Sequence, residues 1–306
     1  PRRARKRAQA YRQIWQKEGS PLIVYSEQLA QSLQEYMGES FIVATGMCFG
    51  NPSVSSALHK LLALKPHRLI VVPLFPQYSS AASGGALETT LKSLQKSEVF
   101  PQMNFVAQYF DHPQYIQTLS THIATYMHAF QPDMLLLSYH GLPITQVKKS
   151  CSKAAAGTCP PSAACPHIDP SNQHCYPAQC YATSALLGQE LKLSDEQYRI
   201  CFQSRLGRQA WLQPYMEPML DQLYREGKRR VMIACPGFSI DCLETLEEIG
   251  LRARNYWLQL GGEDLQCIPC LNAKTDWVRA LAQIAIEAST PETTEMPHAT
   301  NTQDAA

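Results

Sequence analysis

The chain has 306 residues, 45% of them apolar and 17% charged, with 27 Lys and Arg against 26 Asp and Glu. This profile excludes fibrous and wholly disordered architectures and leaves enough length for two domains, or one large α/β unit, around a substantial core. A net charge of +1 gives no overall field for steering nucleic acid. No nucleic-acid partner is expected, and an anionic ligand must meet a local patch such as Arg2, Arg3, Arg5, Lys6 and Arg7.

Beyond that basic helical start, helical periods predict helices over 26–37, 53–64, 86–97, 115–130, 177–191, 218–226, 241–260 and 275–288. Between them, short apolar runs rich in β-branched residues predict strands over 41–45, 68–75, 104–110, 134–140, 199–204, 230–235 and 265–271. The alternation is that of a doubly wound α/β protein with parallel strands and crossover helices. Three strands precede the helix ending near 130 and four follow it, so two halves, 1–130 and 131–288, would balance with one strand before residue 1. The chain is therefore expected to lack its first strand and, in this form, to be unstable or inactive. The tail 289–306 is too polar to order itself. Apolar runs such as 134–137 are far too short to span a bilayer, and no apolar signal core follows the basic start. The expected location is the cytoplasm, with membrane contact at most peripheral.

Ser138-Tyr139-His140-Gly141-Leu142-Pro143 lies where an apolar strand ends in a Gly/Pro turn. Ligands of open α/β sheets bind at the carboxyl ends of strands, so His140 stands where function is expected, although a strand-end histidine is as often structural. The second segment, running from Cys235-Pro236-Gly237 through Asp241 and Glu244 to Glu248, is again a strand end entering a helix. Asp241, Glu244 and Glu248 are spaced to share one helix face. The structural alternative is that Asp241 caps the helix and the first-turn acids complement its dipole. The functional one is an oxygen-rich path for a divalent cation.

The eleven cysteines are many for a compartment that keeps thiols reduced. Cys151, Cys159, Cys165, Cys175 and Cys180 crowd together, while the other six lie scattered in apolar segments as small hydrophobes often do.

Taken together, the segments resemble ferrochelatase, which inserts ferrous iron into a porphyrin. The ordered set includes Gly19-Ser20-Pro21-Leu22, Gly50-Asn51-Pro52-Ser53, Pro73-Leu74-Phe75-Pro76-Gln77-Tyr78-Ser79, the Ser138 to Pro143 run, Phe202-Gln203-Ser204-Arg205-Leu206-Gly207 and Trp211-Leu212-Gln213-Pro214-Tyr215. Pro236-Gly237-Phe238 and Ile268-Pro269-Cys270-Leu271-Asn272 complete it. The resemblance covers most of the chain. It implies two Rossmann-like halves, as in class II chelatases, gripping a porphyrin between them. It makes His140 the active-site histidine and Glu244 the acid facing it across the macrocycle, both toward Fe²⁺, with Asp241 and Glu248 as candidates for an ion path. A flat apolar disc with carboxylate tails needs aromatic walls and a polar rim. Tyr78 and Trp211 are the candidate walls; Ser79 and Arg205 are candidate rim contacts. Protoporphyrin IX and ferrous iron are the implied substrates and protohaem the product. The other readings are coproporphyrin as substrate, a chelatase of another metal or tetrapyrrole, and a porphyrin- or haem-binding protein without catalysis. Relatives occur as monomers and homodimers.

After the histidine motif the family's short stretch is replaced by an insertion, 150–175. Its four thiols, Cys151, Cys159, Cys165 and Cys175, are the number that a 2Fe–2S cluster needs, and some bacterial ferrochelatases carry such a cluster on an internal segment. Structural Zn²⁺ and unligated thiols are the alternatives, and His167 or His174 could replace one ligand.

Overall fold

The computed structural model describes residues 2–95, 97–98, 100–151 and 168–290. Helices α1 (Arg2–Ile14), α2 (Pro21–Met37) and α3 (Val54–Leu62) come first. They are followed by β1 (Arg68–Val71), α4 (Ser83–Leu94), β2 (Gln102–Phe105) and α5 (Pro113–Phe130). Then come β3 (Met134–His140), α6 (Ile144–Ser150), α7 (Tyr176–Glu190), β4 (Tyr198–Gln203), α8 (Met216–Arg225) and β5 (Arg230–Ala234). A π-helix (Glu244–Ala253), α9 (Arg254–Leu260), β6 (Asp264–Cys267) and α10 (Thr275–Glu287) complete the described chain. β1 and β2 pair in parallel, and the later strands form a parallel sheet in the order β4-β3-β5-β6.

β3 is the spine. Its residues from Met134 to Tyr139 are all buried, as the central strand of a sheet covered on both faces must be. Because successive side chains point to opposite faces, Leu135, Leu137 and Tyr139 enter one core with Tyr115, Leu187 and Trp277. Met134 and Leu136 enter another with Leu220, Ile249 and Trp257.

Three expectations need correction. Segment 41–45 is not a strand. Gln34 of α2 takes its backbone groups instead, accepting from Val43 N–H at 2.8 Å and donating to the Phe41 carbonyl at 2.9 Å. A side-chain amide thus satisfies the donor and acceptor that a neighbouring strand would otherwise meet. β1 and β2 are also shorter than their apolar runs; just past β1, Pro73 has no N–H to extend the ladder. Finally, the helix expected over 241–260 is two helices of different winding, with Asp241 ahead of the first. Asp241, Glu244 and Glu248 therefore do not form one α-helical stripe. Extended π-helix is rare and concentrates at functional sites.

Candidate active site

The carboxyl ends of β3, β4 and β5 bring the two sequence motifs together. His140 closes β3, and its Nδ1 lies 2.6 Å from the Gly141 carbonyl. A carbonyl only accepts, so Nδ1 carries a proton, and Nε2 is the ring nitrogen left to exchange one. The Tyr176 hydroxyl donates to the His140 carbonyl at 2.8 Å, and the Phe238 ring lies 6.4 Å from the imidazole. Gly141 N–H donates to the Gln203 carbonyl at 2.8 Å. A Cβ at Gly141 would stand 2.9 Å from that oxygen and 3.4 Å from the Trp211 ring, so the close approach of strands needs glycine here.

Glu244 is the first residue of the π-helix. Its carboxylate lies 4.0 Å from the Arg7 guanidinium of α1. Its carbonyl accepts from the Gln203 side chain at 2.8 Å. Glu248 is held by Ser204, which donates its backbone N–H at 2.8 Å and its hydroxyl at 2.6 Å, with Arg252 at 3.7 Å. Burial pushes the Glu248 carboxyl up; Ser204, Arg252 and the nearby His140 pull the other way. Asp241 is buried and surrounded by donors. It accepts from Thr245 Oγ1 at 2.8 Å, Cys270 N–H at 3.1 Å and Asn272 Nδ2 at 2.7 Å. Those contacts tie the entry of the π-helix to the loop after β6.

The substrate candidates divide by exposure. Trp211 is buried, donates Nε1 to the Leu206 carbonyl at 2.8 Å and packs beside Gly141. Tyr78 is half-buried against the His174 ring, 5.3 Å away, and its N–H donates to Gln179 Oε1. Ser79 is buried, with Oγ accepting from Ala82 N–H at 3.1 Å ahead of α4. Arg205 is exposed and lies 4.7 Å over the Tyr215 ring.

Cys151 and Cys175 are both buried, at the two stems of the insertion and in the same core. Cys159 and Cys165 lie outside the described residues, as does His167. Among the described residues, no group of three metal-ligating side chains is assembled. Cysteines that look scattered along the chain also come together: Cys235, Cys242 and Cys270 lie near Asp241. Hydrogen bonding with Cys267 and burial push the Cys235 thiol up, and burial leads the rise at Cys242 and Cys270. The residues that sequence reading passed over are Gln203, Ser204 and Tyr176, and Arg7, read only as part of a basic patch, lies beside Glu244. Gln203 and Ser204 sit inside a quoted motif, but their partners are far away in sequence.

A family model described as Ferrochelatase matches residues 1–289. The chain belongs to the ferrochelatase family. Ferrochelatase of Coxiella burnetii (strain Dugway 5J108-111) is 45% identical over 285 residues, covering 93% of this chain and 79% of the relative. Ferrochelatase of Legionella pneumophila (strain Philadelphia 1) is 42% identical over 288 residues, covering 94% and 84%. In fold, the chain is similar to SirB from Bacillus subtilis with Fe³⁺, with a TM-score of 0.58 at 10% identity over 89% of this chain and 92% of that one. The sirohydrochlorin chelatase SirB from Bacillus subtilis subspecies spizizenii with cobalt gives 0.55 at 9% identity, covering 88% and 91%. These likenesses show the chelatase fold of two Rossmann-like halves. As a ferrochelatase, this chain is a lyase of haem biosynthesis, and its substrates are a porphyrin and ferrous iron. No helix among the described residues is long and apolar enough to cross a membrane.

Proposed function

We propose that the chain inserts Fe²⁺ into protoporphyrin IX, with His140 as the acceptor of the pyrrole protons and Glu244, backed by Glu248, as the acidic side that meets the cation. Metallation requires two pyrrole N–H protons to leave as the nitrogens bind iron, and a hydrated cation must shed water. An imidazole whose Nδ1 is committed to the Gly141 carbonyl, 2.6 Å away, leaves Nε2 as the nitrogen that can take a pyrrole proton. That contact carries the assignment. Tyr78 and Trp211 would form walls of the porphyrin cleft between the halves 1–130 and 131–288, with Ser79 and Arg205 at its rim. Asp241 accepts from three donors, which suits an anchor of the π-helix better than a step of the ion path.

His140→Ala is expected to lower insertion by about 10²- to 10⁴-fold while porphyrin still binds, as read by fluorescence quenching. Turnover close to that of the parent protein would remove His140 from the reaction.

The insertion is proposed to hold a 2Fe–2S cluster on Cys151, Cys159, Cys165 and Cys175. Two of these thiols, Cys151 and Cys175, close the stems of the insertion inside one core, where a shared metal group could join them. A bound cluster would supply ordering free energy to the insertion. The enzyme is proposed to act in the cytoplasm, as monomer or homodimer, with peripheral membrane contact when its apolar product is handed on.

A further inference from the structure

We propose that Gln203 is a positioning residue for metal insertion: its side-chain amide holds the start of the π-helix, and with it Glu244, in register with His140. The inference rests on His140 and Glu244 being the reacting pair.

Gln203 is the last residue of β4 and is paired in register with His140. It is 3% exposed, yet every polar group of its side chain is used. Nε2 donates to the Glu244 carbonyl at 2.8 Å. Oε1 accepts from the Ser138 hydroxyl at 2.8 Å and from the Cys235 thiol at 3.7 Å. The backbone carbonyl accepts from Gly141 N–H at 2.8 Å. One residue therefore touches β3 on both sides of His140, the segment just after β5 and the first residue of the π-helix.

The amide has one workable orientation. The Glu244 carbonyl can only accept, so it must face Nε2, and the Ser138 hydroxyl and Cys235 thiol supply the donors that Oε1 needs. Turning the amide over would set oxygen against oxygen in a buried site, where unsatisfied groups are most costly. Asp241 anchors the π-helix from the β6 side, through Cys270 and Asn272. Gln203 anchors it from the β4 side, which is the side that carries His140. Loss of the second anchor would leave Asp241 to hold the entry alone, and a displacement of about 1 Å in a reacting group can cost about 10²-fold in rate. Packing alone does not require an amide here, because leucine or methionine fills a similar volume.

The decisive variant is Gln203→Glu, nearly isosteric with the parent residue. As a carboxylate it keeps the acceptor for Ser138 and replaces the donor to Glu244 by a charged oxygen facing that carbonyl. With protoporphyrin and Zn²⁺ or Fe²⁺, kcat is expected to fall about 10- to 100-fold while KM for porphyrin stays within about twofold. In the double variant with Glu244→Gln, turnover is expected to equal that of Glu244→Gln alone, because a residue that acts through Glu244 has nothing left to position. Ser138→Ala, which frees the amide without touching Glu244, should show a smaller loss with the same split. It provides the test if Gln203→Glu folds poorly.

Parent-like kcat in Gln203→Glu beside a disabled Glu244→Gln overturns the positioning role alone. Multiplied losses in the double variant, or kcat and KM moving together with a lowered melting temperature, also overturn it in favour of a structural role. Parent-like turnover in Glu244→Gln overturns the reacting pair, and the role of Gln203 falls with it.

Discussion

Ser204 gives Glu248 both its backbone N–H, at 2.8 Å, and its hydroxyl, at 2.6 Å, from a backbone held at φ 68°. A serine in the left-handed region is uncommon, and here that conformation accompanies two donors to one carboxylate. The acid sits in the π-helix and the serine just past β4, so this pair lies beside the Gln203 contact and joins the same two elements.

The pH dependence of stability should carry the mark of Glu248. Burial, the largest influence, raises its carboxyl in the folded protein above the ordinary value. A folded state that holds the proton more tightly than the unfolded chain gains most below the ordinary carboxylate range and loses that gain as pH rises through the raised value. The stability difference between Glu248→Gln and the parent should therefore move in favour of the variant as pH rises through that window. Urea unfolding at a series of pH values measures it, and a difference that does not change with pH would count against the raised carboxyl.

Gly141→Ala should be destabilising by about 1–3 kcal/mol, the usual cost of overpacking. The added methyl would have to displace the Gln203 carbonyl or the Trp211 ring, at 2.9 and 3.4 Å. Because Gly141 N–H also bonds Gln203 and its carbonyl bonds His140, activity should fall more than stability. Denaturant midpoints set beside kcat test both parts; an alanine variant equal to the parent in both would contradict the close packing.

Asp241→Ala should unfold more easily, because Thr245, Cys270 and Asn272 would each lose an acceptor in a buried site. At about 1–3 kcal/mol for each unsatisfied buried donor, a loss of about 3 kcal/mol or more is expected. A variant of parent-like stability that no longer inserts iron would instead return Asp241 to the ion path.

The insertion makes a spectroscopic prediction. Anaerobically purified protein should be reddish, with sulfur-to-iron charge-transfer absorption and about two irons per chain, both lost in Cys159→Ser. Colourless, zinc-loaded or metal-free protein would reject the cluster without touching the chelatase assignment. Other cysteines are poor candidates for the same iron; burial pushes the Cys201 thiol up to about 12, and it behaves as a small apolar side chain.

Local pattern carried much of this protein's architecture. An unbroken apolar run ending in Ser138-Tyr139-His140-Gly141 reads as a buried parallel strand with a functional residue at its carboxyl end, and β3 is that strand. The ordered motifs likewise contained the family, because each is a short stretch whose residue types are dictated by its own turn or strand end. Segment 41–45 misled because strand period alone does not say what will satisfy the backbone, and Gln34 supplied the partner.

What only the tertiary structure decided was the arrangement of groups distant in sequence. The π-winding over Glu244–Ala253 is invisible in a hydrophobic period shared with an α-helix, so the acids could be named but not placed. Gln203 and Ser204 gained their meaning when parallel pairing set β4 beside β3 and the π-helix closed over the strand ends. Hydrogen bonds reach only about 3 Å. Sequence can therefore supply donors and acceptors, but the packing of the sheet determines which of them meet.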